Sequence, residues 1–518
     1  MRRARRPGKV HLVGAGPGDP RLITVRGAEV LGRAGVVIAD ALAPPELLRL
    51  APDSAERIDA GKRGGGRRVD QERINRLMID RARRGLVVVR LKGGDPSLFG
   101  RGGEESEALA RAGIPFEVVP GVTAALGAAA CAGIPLTDRR HAASVVFATA
   151  QTDPKAAKRP IDWKGLAGAD TVVLYMSVAG LASAVARLLK AGRPRGTPAV
   201  LVRWATRPEQ RVLAGSLGTI ARRARRARLL PPALLIVGEV ARSRRRLDWF
   251  GRRALSGRTI VVTRSREQAA SFAALLAEEG ARVLEAPAIA LRPPRSWAPL
   301  DRALERVGGY DYLIFTSVNG VARFFERWQS GRRDVRDLKG IAIVAIGPAT
   351  AAALEARGLR VAVVPEEFRA EGLERALRGR PLAGARVLIA RAAVARDLLV
   401  RALRRRGARV DVVPVYRTVA SHEGAREVAA ALRAGEIDLL TFTSSSTVER
   451  FTATLRRLGL GRRLRRVPAA VIGPITARAA RRSGLRVVLS PRRYTVPALA
   501  EAIIRRFRSS PSGIPRGS

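Results

Sequence analysis

The chain has 518 residues, more than one hydrophobic core organises, so two or more domains of ordinary size are expected. Apolar residues make up 47% and aromatics 4%, a globular composition whose interiors must be filled by Ala, Leu and Val, so disorder is not the default. The net charge of +50 is nearly all arginine, spread over helix faces such as 221–230 and 402–407 without a single tract or a recognition motif, which argues against nucleic acid and for an anionic small-molecule substrate.

Residues 1–9 are basic but run directly into the strand-like 10–13, without the apolar core of a signal peptide. The glycine turn Gly14-Ala15-Gly16-Pro17-Gly18-Asp19 follows, either a purely structural turn or one that brings backbone close to a ligand. Asp40, ending the run 36–38, imitates the ribose-binding acid of an NAD site, but the dinucleotide fingerprint is incomplete and no other is present. Further apolar runs at 86–91, 171–175, 199–202 and 234–237 alternate with Ala/Arg/Leu helical patterns, predicting α/β domains with mainly parallel sheets. The least charged stretch, 122–137, is too short and too interrupted by Gly and Pro to span a bilayer. One cysteine, Cys131, and three histidines leave no intramolecular disulfide and no cysteine-rich metal site. A cytoplasmic, metal-free protein bound to neither membrane nor nucleic acid is the expectation.

A charged segment at 242–257 leads into a new strand at 259–263, which places the domain boundary, without a long Gly/Ser linker. Beyond it the sequence repeats itself at an offset of about 127 positions. Val261-Val262-Thr263-Arg264 returns as Leu388-Ile389-Ala390-Arg391, Gly280-Ala281-Arg282-Val283 as Gly407-Ala408-Arg409-Val410, Phe315-Thr316-Ser317 as Phe442-Thr443-Ser444, and Ile346-Gly347-Pro348 as Ile472-Gly473-Pro474. Two similar α/β lobes across a cleft are implied. Residues 509–518 read as a disordered tail.

A second glycine-rich run, Arg90-Leu91-Lys92-Gly93-Gly94-Asp95-Pro96-Ser97-Leu98-Phe99-Gly100-Arg101-Gly102-Gly103-Glu104-Glu105, carries the strongest family signal. With the Gly14 turn, Gly61-Lys62-Arg63, Val119-Pro120-Gly121-Val122-Thr123-Ala124, Gly133-Ile134-Pro135-Leu136-Thr137, Tyr175-Met176 and Thr206-Arg207-Pro208-Glu209-Gln210-Arg211, residues 8–250 resemble the uroporphyrinogen-III C-methyltransferases of the tetrapyrrole methylase family. The resemblance implies a two-lobed α/β fold that holds S-adenosylmethionine in its cleft and forms homodimers. It implies cofactor contacts at Pro17, Gly93, Gly94, Asp95, Leu98, Thr123, Ala124, Met176 and Ala205, with Asp40 as proton acceptor and Lys62 as proton donor. On the residues alone, Met176 also reads as core and Lys62 as a surface lysine. Departures from the family pattern stand at Ala150-Gln151, where Gly-His is usual, and at Ser177 and Ala205, where glycine is usual.

Residues 257–507 resemble uroporphyrinogen-III synthase through Val262-Thr263-Arg264, Phe315-Thr316-Ser317-Val318-Asn319-Gly320, Val415-Tyr416-Arg417-Thr418, Phe442-Thr443-Ser444-Ser445-Ser446-Thr447-Val448 and Ile472-Gly473-Pro474-Ile475-Thr476-Ala477. The resemblance implies a two-lobed α/β fold, one lobe built from 257–290 with 418–507 and the other from 291–417, and a cofactor-free closure of hydroxymethylbilane. Tyr416 matches a tyrosine thought to assist departure of the hydroxyl; a buried structural tyrosine is the other reading. Arg264, Ser317, Ser444, Ser445 and Thr476 are candidate substrate contacts, the hydroxyls among them equally candidates for helix caps. The two halves together imply consecutive steps toward sirohaem or cobalamin, the alternative being a methyltransferase with a C-terminal tetrapyrrole-binding regulatory domain.

Overall fold

The computed structural model describes residues 7–61, 70–150, 160–264, 266–331, 333–367, 370–395, 397–421 and 423–509. The expected tail at 509–518 therefore falls, apart from Ser509, outside the described residues. The chain divides into two units, 1–258 with 275–282 and 504–518, and 259–274 with 283–503. Among the described residues no helix is long and apolar enough to cross a membrane.

The first unit holds two five-stranded sheets. In the first sheet β1 (Val10–Gly14), β2 (Val36–Ala39), β3 (Glu56–Asp59), β4 (Val88–Lys92) and β5 (Phe116–Val119) lie in the order β3-β2-β4-β1-β5, all parallel. β1 and β4 are wholly buried because both faces are covered, which is why their apolar residues fall on both faces, interrupted only by His11, Arg90 and Lys92. The second sheet comprises β6 (Val145–Thr149), β7 (Thr171–Tyr175), β8 (Pro198–Arg203), β9 (Arg211–Ser216) and β10 (Ala233–Val237), in the order β6-β7-β10-β8-β9. Here the expectation of parallel pairing fails: only β6 and β7 run parallel, while β10 is antiparallel to both neighbours and β9 is antiparallel to β8. The cause lies in the connections, since the link at 204–210 between β8 and β9 is too short for the crossover that parallel neighbours require.

Helix Ala124–Ala132 follows β5 but packs on the second sheet, burying Ala125, Gly127, Ala128, Ala129, Cys131 and Ala132. Small side chains let it approach closely. A Cβ on Gly127 would lie 2.5 Å from that of Pro17. Burial pushes the Cys131 thiol up to about 11, so it stays protonated and acts as a small apolar residue. The uncharged stretch thus belongs to the core between the two sheets.

The second unit also has two sheets. β11 (Thr259–Val262), β12 (Arg282–Glu285), β13 (Ile289–Arg292), β14 (Tyr312–Phe315), β15 (Ala342–Ala345), β16 (Val361–Val363), β17 (Arg386–Ala392), β18 (Arg409–Ala420), β19 (Leu439–Phe442), β20 (Pro468–Val471) and β21 (Arg486–Leu489) occur in that chain order. One sheet runs β12-β11-β19-β20-β21 and the other β13-β18-β17-β14-β15-β16. Apart from the edge strand β13, the second order reproduces the first through the repeat, with equivalent register: Val261 faces Leu440 in one, Leu388 faces Leu313 in the other. The repeat copies exchange halves, because β11 and β12 of the first copy join β19, β20 and β21 of the second. Aromatic residues, scarce overall, gather around β14, where Phe315, Phe324, Phe325 and Trp328 pack with ring centroids 5.2–6.2 Å apart.

His11, on the interior strand β1, is 7% exposed, and burial holds its pKa below the ordinary histidine value despite Glu117 at 3.3 Å. The unfolded chain therefore binds this proton at higher pH than the native chain does, so stability is lost as pH falls below about 6.5. Thermal unfolding followed between pH 7.5 and 5 should show a smaller loss in His11→Gln than in the wild type.

Candidate functional site

The loops leaving the carboxyl ends of β1, β2, β4 and β5 carry most of the candidate residues. Those after β1 and β4 approach so closely that Gly94 N–H donates to Gly16 O at 2.8 Å and Gly16 N–H donates to Gly94 O at 3.2 Å. Gly94 has a φ of +70°, where a side chain would be strained. A Cβ on Gly121, in the loop after β5, would fall 2.4 Å from Gly94 O and 2.7 Å from Gly14 Cα. Three backbones therefore meet where no side chain fits. Asp95 ties the same loops: Oδ1 accepts from Ser97 N–H at 2.8 Å and Oδ2 from Gly121 N–H at 3.0 Å.

The other wall comes from the Ala-rich helix and the ends of β7 and β8. Thr123 Oγ1 and Tyr175 Oη are 2.6 Å apart, and Tyr175 Oη also accepts from Ala125 N–H at 3.1 Å. Burial raises the Tyr175 pKa, so the phenol is a neutral brace. Pro17 rests on Gly127, Gly93 on Leu42, and Asp19 N–H donates to Thr206 Oγ1 at 2.8 Å, which joins the β1 turn to the segment containing the buried Ala205. Leu98 and Ala124 pack at the margin of the helix cluster, and Met176 is half exposed.

Backbone strain marks the same region. Phe99, Arg101, Met176, Trp204 and Thr206 have φ between +48° and +67°, a costly conformation for non-glycine residues that concentrates at functional sites. No sequence pattern announces it. The lining as a whole offers backbone N–H and C=O groups, small or apolar side chains and one exposed thioether, a set that fits an adenosine-bearing cofactor held largely by main chain.

Asp40 follows β2, and its Oδ1 accepts from Arg90 Nη2 at 2.9 Å. Arg90 and Lys92 project from one face of β4 to the carboxylate of Glu105 in helix Gly102–Arg111, at 3.1 and 2.8 Å. Burial and the neighbouring Arg90 lower the Lys92 pKa, whereas Asp40 and Glu105 overcome burial to raise that of Arg90. Arg90, Lys92 and Glu105 stood inside the family run without a role; two cations two positions apart in an otherwise apolar strand were the available signal. Lys62 and Gln151 lie outside the described residues. Ser177 is buried and directed to Ala233 O at 3.4 Å.

In the second unit, Ser317 caps helix Val318–Ser330 by accepting Gly320 N–H at 3.0 Å, and the same Oγ lies 3.2 Å from Tyr416 Oη on β18. Ser317 is thus a cap that also meets the candidate catalytic tyrosine, which is 9% exposed. Its repeat counterpart Ser444 caps helix Ser445–Arg457 through Thr447 N–H at 3.3 Å. Ser445 opens that helix, Thr476 is buried in helix Pro474–Arg482, and Arg264 lies just past the end of β11 with its pKa lowered by burial. These last four belong to the sheet containing β11 and β19, whereas Ser317 and Tyr416 belong to the other.

The family model for tetrapyrrole (corrin/porphyrin) methylases matches residues 9–221, and that for uroporphyrinogen-III synthase HemD matches residues 270–501. The porphyrin biosynthesis protein HemD of Ruminiclostridium josui is 37% identical over 499 residues, 96% of this chain and 98% of that protein. The siroheme synthase of Azotobacter vinelandii is 49% identical over 244 residues, 47% of this chain, which spans about half (52%) of that protein's length. Among solved structures, uroporphyrin-III C-methyl transferase from Thermus thermophilus complexed with S-adenyl homocysteine is 40% identical with a TM-score of 0.40, covering 45% of this chain and 99% of that one.

The three-backbone contact can be tested directly. Gly121→Ala should destabilise the first unit by about 1–3 kcal/mol, the usual result of overpacking a rigid contact, as read from denaturant unfolding.

Proposed function

The chain belongs to the tetrapyrrole methylase family in its first half and to the uroporphyrinogen-III synthase family in its second, and we propose that it catalyses two consecutive steps of tetrapyrrole biosynthesis. The second half closes hydroxymethylbilane to uroporphyrinogen III with inversion of the last ring. The first half then adds two methyl groups to give precorrin-2. Carrying both activities on one polypeptide raises their effective concentration. The observation that supports the reading most is the close glycine contact of Gly14, Gly94 and Gly121 beside Asp40 and the strained Met176 and Thr206.

Bound S-adenosylmethionine supplies an electrophilic methyl group. Pro17, Gly93, Gly94, Asp95, Leu98, Thr123, Ala124, Met176 and Ala205 would hold it, and Asp95, with both oxygens engaged by backbone N–H groups, also keeps the loops in place. With the sulfur–methyl bond broken and S-adenosylhomocysteine as the leaving group, the methylated pyrrole ring would carry a positive charge. Asp40 takes the ring proton whose loss restores neutrality, and Lys62 is the proton donor. Ser177, whose hydroxyl is turned to Ala233 O, and Ala205 are larger than the glycines usual there, and they either narrow the pocket or alter its substrate preference.

In the second half no cofactor is required, because the work is folding a flexible substrate and stabilising its leaving group. With Gly320 N–H donating to Ser317 Oγ, the serine proton can go to Tyr416 Oη, which frees the phenol proton for the departing hydroxyl. Arg264, Ser444, Ser445 and Thr476 contact the substrate carboxylates. The methyltransferase half is the site of homodimerisation, and the protein works in the cytoplasm.

Purified protein given hydroxymethylbilane and methyl-labelled S-adenosylmethionine should yield labelled precorrin-2 without added synthase. Product formed only from uroporphyrinogen III would leave the second half as a binding domain. Tyr416→Phe should lower the cyclisation rate by about 10²-fold, the usual worth of a positioned proton donor, with methyl transfer from uroporphyrinogen III unchanged.

A further inference from the structure

Asp40 and the three charges behind it form one closed set. Arg90 uses each guanidinium nitrogen once: Nε donates to Glu105 Oε1 at 3.1 Å, Nη1 to Ile38 O at 3.3 Å and Nη2 to Asp40 Oδ1 at 2.9 Å. The Nη1 and Nη2 bonds both reach the end of β2, one on its backbone and one on the side chain two residues on. Glu105 is held in turn by Lys92 at 2.8 Å and by Gln71 Nε2 at 3.0 Å. Arg90 and Lys92 side chains are 2% exposed and Glu105 is 0%, whereas the Asp40 carboxylate is 36% exposed.

Two cations and two anions balance, so the interior carries no net charge and only one member of the set opens to the site. A guanidinium fork engaged on three sides has no rotational freedom left, and its planar geometry transmits that rigidity to the carboxylate it touches. An exposed aspartate after a strand would otherwise sample several rotamers.

We infer that Arg90 is the positioning residue for Asp40, fixing the carboxylate's direction at the carboxyl end of β2, with Glu105 and Lys92 there to hold Arg90. The inference rests on the reading of Asp40 as proton acceptor. A lysine at position 90 keeps the charge but cannot reach Glu105, Ile38 and Asp40 together, so the carboxylate loses its aim without losing its cationic neighbour.

The test is methyl transfer by the full chain to uroporphyrinogen III, with S-adenosylhomocysteine binding measured alongside. Arg90→Lys should lower kcat by about 10²-fold, the usual effect of a misplaced catalytic group, while KM and S-adenosylhomocysteine affinity stay within about twofold. In an Asp40→Asn background, itself slow, Arg90→Lys should have no further effect, because the group it positions is gone. Equal losses in both backgrounds, or an unchanged kcat in Arg90→Lys, would overturn the inference while leaving Asp40 as the base. Wild-type kcat in Asp40→Asn would overturn the assignment of the base and this inference with it. If Arg90→Lys fails to fold, Glu105→Gln serves instead: it keeps the side-chain shape, loosens Arg90, and should show the same loss of kcat that disappears in the Asp40→Asn background.

Discussion

A buried guanidinium can be kept in a protein interior only if its charge is answered and its nitrogens find partners, and each of the three nitrogens of Arg90 has one, in Glu105, Asp40 and the end of β2. Removing one partner of such a set typically costs about 3–5 kcal/mol, because the remaining charge stays buried and unpaired. The first sheet is organised around that constraint. β4 must lie between β2 and β1 for Arg90 to reach Asp40, and helix Gly102–Arg111 must begin where Glu105 meets both cations. Once those elements are fixed, the loop between β4 and the helix is fixed as well, and it carries Gly93, Gly94 and Asp95.

The other constraint is steric. At the carboxyl edge Gly14, Gly94 and Gly121 bring three backbones together, and Asp95 locks the loops with two hydrogen bonds from main-chain N–H groups. The opposite wall is a helix of small residues, so that Pro17 can rest on Gly127. Close main-chain approach on one side and small side chains on the other leave a lining with few polar side chains. Such a lining offers a ligand mainly backbone groups and shape.

The second unit reaches a similar economy by duplication. Leaving aside the edge strand β13, each of its sheets takes two strands from one repeat copy and three from the other, so neither copy can form a complete sheet alone. Equivalent strands end in equivalent features, Ser317 and Ser444 capping the helices after β14 and β19. Yet among the described residues it is Ser317 that meets a tyrosine, because β18 extends to residue 420 and carries Tyr416 beside it, whereas the corresponding strand β12 ends at Glu285. The asymmetry gives one lobe a polar pair that its twin lacks.

Much of this was determined by the sequence itself. Apolar runs at β1, β4, β7, β8 and β10, the turn glycines, the charged break near 250 and the 127-residue repeat are local or periodic signals, and local signals survive without knowledge of the fold. The glycine run also marked the loop that meets the β1 turn and Gly121. The tertiary structure alone decided which of these meet. That β10 runs against its neighbours follows from connection lengths and packing, and that repeat copies exchange halves depends on pairing between strands more than 170 residues apart, as between Ile260 and Leu439. The strained φ angles at Met176 and Thr206 depend on what surrounds them. The link from Arg90 to Asp40 spans 50 positions and exists only because β2 and β4 are neighbours. Sequence gives the residues and their periods; contact between distant charges needs the register of a sheet.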